Sequence, residues 1–185
     1  SIRKNFGKQK YQDEIKHIIG YQRRNHFIRK LTLDLKGNTL VLYNYVEKHG
    51  KPLYENIKFY ADEKRKIFFV SGNTAASDRE AIRAIVEKQK NAIIVASLGT
   101  FSTGINIRNL HNIVFASPSK SQIRVLQSIG RGLRKTDDDI TTTLYDIVDD
   151  ISWKTRKNYG ILHADERLRI YGREKFTHKT YKVQL

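Results

Sequence analysis

The chain has 185 residues, enough for one domain with a single core. It carries 35 Lys and Arg against 19 Asp and Glu, a formal net charge of +16, and no cysteine. That excess points to a polyanionic partner, most simply nucleic acid. The lack of cysteine excludes a disulfide framework or a thiolate metal site, and no apolar run approaches the roughly 18 residues of a membrane span. In chain order, residues 8–36 have helical periodicity. Tyr11, Ile15, Ile18 and Ile19 form one stripe and Ile28, Leu31 and Leu35 a second, with residues 20–25 between and Arg23, Arg24, Arg29 and Lys30 expected outside. Gly37-Asn38 reads as a turn, 39–43 as a buried strand and 46–57 as a helix. A second strand is expected at 66–70. Ser77 and Glu80 then have capping-box spacing before a helix with Ile82, Ile85 and Val86 inward. Strands follow at 92–96, 112–116 and 142–147, with a helix starting near Ser119 after Pro118. A long basic helix over 153–175, with Ile161, Ala164, Leu168 and Tyr171 inward and Lys154, Arg156, Lys157, Arg167 and Arg173 outward, and an extended stretch near 180–183 complete the chain.

Short apolar strands alternating with amphipathic helices predict an α/β fold in three layers, a mainly parallel sheet with helices on both faces. Ligands of such sheets bind beyond the carboxyl ends of the strands. The polar residues expected there are Asn44, Gly72-Asn73, residues 98–106 and Ser117. Charge divides the chain into three parts. Residues 1–36 carry 10 basic and 3 acidic residues, residues 151–185 carry 9 and 3, and residues 37–150 are nearly balanced. We therefore expect a basic helical lead-in (1–36), a globular domain (37–150) and a basic carboxyl-terminal segment (151–185). The six histidines are scattered without metal-ligand spacing, so no metal site is expected within the chain. With no signal-peptide pattern at its start, the chain is expected to be soluble and cytoplasmic. Position 1 is Ser, which fits either a processed start or a piece of a longer protein.

Two stretches carry chemistry. In residues 127–135, Gln127, Arg131 and Arg134 fall at i, i+4 and i+7 on one helix face, while Ile123, Leu126 and Leu133 share another. Two guanidinium groups so placed repel unless an anion lies between them, and guanidinium suits forked contacts with phosphate. Gly130 gives up about 1 kcal/mol of helix propensity, which a close backbone approach would explain. A basic surface helix is the plain alternative. The second stretch, Ser97–Ile107, combines hydroxyls with Gly99 and Gly104, so its backbone N–H groups can converge on an anion; a simple turn is the alternative.

Gln127-x-x-Gly130-Arg131-x-x-Arg134 resembles motif VI of superfamily-two helicases, the arginine-finger helix of their second RecA-like domain. Thr100, Thr103 and Gly104 resemble motif V, with Asn106 in place of its commoner Asp. Tyr43-Asn44 resembles motif IV, and Ser71-Gly72-Asn73 with Arg79 the glycine-containing segment between motifs IV and V. The resemblance implies a RecA-like helicase domain over about residues 38–147. Arg131, Arg134 and Gln127 would act in ATP hydrolysis, and Gly104, Asn106 and Gly130 would lie at the nucleotide. Asn44, Gly72, Thr100 and Thr103 would hold nucleic-acid backbone, joined by Lys154, Arg156 and Lys157 on the basic segment. The runs 96–107 and 158–171 are also similar to the recombination helicases of bacteriophages. That similarity implies remodelling of branched or forked DNA and DNA–RNA hybrids in recombination, repair and replication, in the host cytoplasm.

No Gly-x-x-x-x-Gly-Lys-[Ser/Thr] phosphate loop and no magnesium-holding Asp-Glu box occurs in the chain. Both belong to the family's first RecA-like domain. That domain is therefore the expected partner, and ATP and Mg²⁺ the expected cofactors, bound mainly by it. The chain alone is then expected to be inactive. Two other readings stay open: a non-enzymatic nucleic-acid or junction-binding module, and the translocase part of a restriction system.

Overall fold

The structure is a computed structural model that describes residues 2–102, 107–119 and 141–185. Five strands of the described residues form one sheet: β1 (Thr39–Tyr43), β2 (Ile67–Val70), β3 (Ile93–Ser97), β4 (Asn112–Phe115) and β5 (Thr143–Asp146). The order is β2-β3-β1-β4-β5 and every pairing is parallel. In register, Val41 lies between Val95 and Val114. The β1 residues are all buried, as expected of a strand covered on both faces.

Alternation along the strands makes two cores. Leu40, Leu42, Ile94, Ala96, Ile113 and Phe115 point to one face, covered by Val86 of α4 (Ala76–Glu87) and Tyr171 of α6 (Tyr159–Arg173). Val41, Tyr43, Ile93, Val95 and Val114 point to the other. There they meet Ile28 of α2 (Gln22–Asp34) and Leu53 and Ile57 of α3 (Lys51–Tyr60). The architecture is thus the expected three-layer α/β fold. α1 (Ile2–Gly20) precedes α2 with a single break at Tyr21, and α5 (Leu98–Ser102) follows β3 directly. The predicted 46–57 helix starts instead as a π-helical turn, Val46–Gly50. A Cβ on Gly50 would meet the Tyr43 ring at 2.5 Å, so the turn passes too close to β1 for any side chain.

The amino-terminal edge of the sheet is stitched by polar side chains. Asn38 is fully buried; its amide nitrogen is directed at the carbonyls of Val86, Gln89 and Asn109, and its oxygen accepts from Ala92 N. Gly37 has φ +91°, which a Cβ would disfavour. Arg65 donates to the carbonyls of Leu33, Leu35 and Asn91.

Several local expectations are corrected. Arg24 and Arg29, expected outside, are 1% and 8% exposed. Arg24 Nε donates to Asp149 at 2.6 Å, and Arg29 Nη1 donates to Asn56 at 3.1 Å with its guanidinium over the Tyr60 ring. No capping box forms at Ser77. The helix is capped two residues earlier, at Ala75, and Glu80 pairs with Arg83. Ile85 is 38% exposed, whereas Val86 is fully buried against the sheet. The carboxyl-terminal helix starts at Tyr159 instead of near 153, because 153–156 is a tight turn closed by reciprocal Trp153–Arg156 hydrogen bonds. Leu168 is exposed, and Ile170 takes the inward place beside Ala164 and Tyr171. Residues 180–183 form no strand.

Candidate nucleic-acid and nucleotide interface

The described segments that follow the strands lie along the carboxyl edge of the sheet, where the fold delivers ligand contacts. After β1, Asn44 has an exposed side chain, while its N–H donates to Ser117 Oγ at 3.0 Å. Ser117 follows β4 and is fully buried. His49, in the π-helical turn, links this pair to the amino-terminal helices. Its Nδ1 lies 2.7 Å from Ser117 Oγ and its Nε2 3.1 Å from Asn25 Oδ1. Asn25 Nδ2 donates to Ile19 O, so its oxygen faces the imidazole and Nε2 carries the proton. The Ser117 hydroxyl then donates to Nδ1. Burial, with the Arg24 charge adding, lowers the His49 pKa to about 3, so the ring is neutral near pH 7.

After β2, Ser71 and Thr74 hydroxyls receive backbone N–H groups in a small polar turn around Gly72 and Asn73. Gly72 is exposed, and a Cβ there would meet nothing within 4 Å. No packing demand among the described residues accounts for this glycine. After β3, Ser97 Oγ and Thr100 Oγ1 lie 2.6 Å apart, and Thr100 N donates to Ser97 Oγ. Thr100 is 5% exposed, so its hydroxyl fixes the start of the loop from inside. Arg79, on α4, has a buried Nε with no hydrogen-bond partner among the described residues. Thr103, Gly104, Asn106, Gln127, Gly130, Arg131 and Arg134 lie outside the described residues.

Beyond β5, the chain is fastened from both termini. Asp146 accepts from Arg167 Nε at 2.7 Å and Nη2 at 2.9 Å, and from the Tyr171 hydroxyl at 2.7 Å. Arg167, expected among the outward cations, is therefore 3% exposed and neutralises a carboxylate at a strand end. Burial and the Asp146 charge push the Tyr171 phenol well above its ordinary pKa. Glu14 of α1 accepts from Tyr159 N and Gly160 N at the start of α6 and from Asn158 Nδ2. A carboxylate is favoured at a helix amino terminus. Lys154 and Arg156 are exposed on the 153–156 turn, as expected. Lys157 is exposed but paired with Asp165 at 2.8 Å.

Among the described residues, no three His, Cys, Asp or Glu are grouped to hold a metal ion, and no helix is long and apolar enough to cross a membrane. Sequence reading missed Asp146, Asp149, His49 and Trp153 as parts of this edge. Only Trp153 had a signal, as the one tryptophan beside Lys154, Arg156 and Lys157.

A five-stranded parallel sheet, helices on both faces and polar loops gathered at its carboxyl edge define a RecA-like domain of the helicase type. The chain belongs to the helicase conserved C-terminal domain family, whose model matches residues 22–136. It is 39% identical over 188 residues to the ATP-dependent DNA helicase uvsW of Enterobacteria phage T4, covering 95% of this chain and 37% of that protein. The crystal structure of T4 UvsW aligns with a TM-score of 0.73 at 38% identity, over 89% of this chain and 35% of that one. The C-terminal part of the Fun30 ATPase domain, 13% identical, aligns over 77% of this chain and 49% of its own with a TM-score of 0.50, a likeness of fold. The chain thus spans a little over a third of the length of the curated relative it matches.

Proposed function

We propose that this chain is the second motor domain of an ATP-dependent DNA helicase that remodels branched or forked DNA, and DNA–RNA hybrids, in recombination, repair and replication. The observation that carries this reading is the 39% identity, along 95% of the chain, to a protein named an ATP-dependent DNA helicase. The division into a lead-in (1–36), a RecA-like domain (37–150) and a basic segment (151–185) belongs to the same proposal. ATP, with Mg²⁺, would lie in a cleft between this domain and a first RecA-like domain carrying the phosphate loop. Arg131 and Arg134 would reach its phosphates across that cleft and stabilise charge developing during hydrolysis. Gln127 would order the site, with Gly104, Asn106 and Gly130 at the nucleotide.

The exposed Asn44 and the open backbone at Gly72 suit contacts to nucleic-acid phosphates, which position a strand without reading sequence. Thr103 would contribute a hydroxyl, and the buried Thr100 would set the path of its loop. Lys154, Arg156 and Lys157 would extend the phosphate track. Cleft closure would shift these contacts along the strand by hinge motion.

Arginine fingers are worth about 10³–10⁵ in turnover. In the protein that also carries the first motor domain, Arg131→Ala and Arg134→Ala should each lower DNA-stimulated ATP hydrolysis by about that factor while DNA affinity stays within about threefold. Weakened DNA binding with normal turnover per bound enzyme would place this face on nucleic acid instead. DNA binding without any ATP hydrolysis by that protein would make the chain a non-enzymatic module.

A further inference from the structure

Trp153 is the single tryptophan of the chain and is 74% exposed. It stands on a two-residue turn. Its N–H donates to Arg156 O at 3.1 Å and Arg156 N–H donates back at 3.0 Å. Lys154, at the apex, has φ +56°, a left-handed conformation that a lysine adopts only when its surroundings impose it. Hydrogen bonds hold the segments on either side of the turn. Asn158 Oδ1 accepts from Ile151 N at 3.3 Å and Ser152 Oγ at 3.2 Å, and its Nδ2 donates to Asp149 O and to Glu14 of α1. The turn is thereby fixed to both α1 and the start of α6. It projects from the carboxyl side of β5, where residues 147–149 and Pro118-Ser119 line a common crevice.

The indole has no ring or cation against it among the described residues, although Lys154, Arg156 and Lys157 surround it in sequence. A partner's apolar pocket would accept the indole without those cations. A single-stranded nucleic acid uses both, because every base offers a π-face and every linkage a phosphate. Resting on the reading of this edge as the nucleic-acid side, we propose that Trp153 is a base-stacking residue. Its indole takes the face of a nucleobase in a single-stranded segment while Lys154 and Arg156 meet the adjoining phosphates. Fixing the turn in advance removes the ordering that a flexible platform would need on binding.

Because the 185-residue chain has one tryptophan, emission excited selectively at the red edge, beyond tyrosine absorption, reports this residue alone. The chain is titrated with oligothymidylate and with an abasic oligomer of equal length, which keeps the phosphates and lacks bases. Binding is read in parallel by anisotropy. Oligothymidylate should quench the emission, and the abasic oligomer should bind without quenching. Trp153→Ala should raise the Kd for oligothymidylate about five- to a hundredfold, leave the abasic Kd unchanged, and be largely rescued by Trp153→Phe. Equal binding of both oligomers with unchanged emission, and a harmless Trp153→Ala, would overturn the stacking role and leave the DNA-binding reading standing. Binding of neither oligomer at low salt would overturn both. Unchanged circular dichroism and melting of each variant exclude a folding effect.

Discussion

His49 shows what a single residue does in this edge. Its two ring nitrogens bridge Asn25 and Ser117, and Ser117 in turn holds the backbone of Asn44. With its pKa lowered to about 3, it resists protonation when folded but takes up a proton near pH 6.5 when unfolded. The unfolded state therefore binds more protons between those values, and stability falls as pH drops through that window. The loss approaches about 1.4 kcal/mol per pH unit from this one group. Urea melts between pH 6.5 and 4.5, above most carboxylate titration, should show this slope, and His49→Gln should flatten it. Gly50, beside it, faces Tyr43 too closely for a Cβ. Gly50→Ala should destabilise by about 1–3 kcal/mol in a thermal melt, since neither the turn nor the fully buried strand can yield.

At the scale of elements, α2 and α6 each carry a buried arginine that ties a helix to the sheet's carboxyl edge. Arg24 pairs with Asp149 and Arg167 with Asp146. Removing one member of such a pair strands the other. Arg24→Ala should cost about 3 kcal/mol or more in denaturant unfolding, whereas Arg23→Ala, one residue away and exposed, should stay within about 0.5 kcal/mol. Charge alone hides this difference, because Arg23 and Arg24 are the same residue type. Packing separates them: Arg24, four residues before Ile28, turns inward to Asp149, and Arg167 lies between Ala164 and Tyr171 on the buried stripe of α6. Strands were legible because continuous apolar runs such as Thr39–Tyr43 are explicable only by burial on both faces. The tight turn at 153–156 was not, since Lys154-Thr155 lacks the Asn or Gly that normally marks a left-handed apex.

Across the whole molecule, the two basic ends meet. Glu14 caps α6, and Arg24 reaches Asp149, so segments far apart in sequence form one support beneath the 153–156 turn. Replacing Lys154, Arg156 and Lys157 together with Ala should reduce the slope of log K against log salt by about two units on duplex DNA, from about 0.9 per phosphate with Lys157 partly engaged by Asp165. Melting should hardly move, since all three are exposed. An unchanged slope with an intact fold would leave the strand-end loops as the DNA contacts.

The sequence by itself determined the layer architecture, because continuous apolar runs and helical stripes are local properties that each segment states alone. It also determined the family, through Gln127, Gly130, Arg131 and Arg134 in strand-ordered context. Only the tertiary structure decided which charges are available. Arg24, Arg29 and Arg167 are internal while Lys154 and Arg156 stay outside. It likewise decided that His49 is neutral and that Trp153 stands exposed on a fixed turn. A side chain's solvation depends on what the rest of the chain brings against it, and those neighbours lie far away in sequence, Asp149 being 125 residues from Arg24.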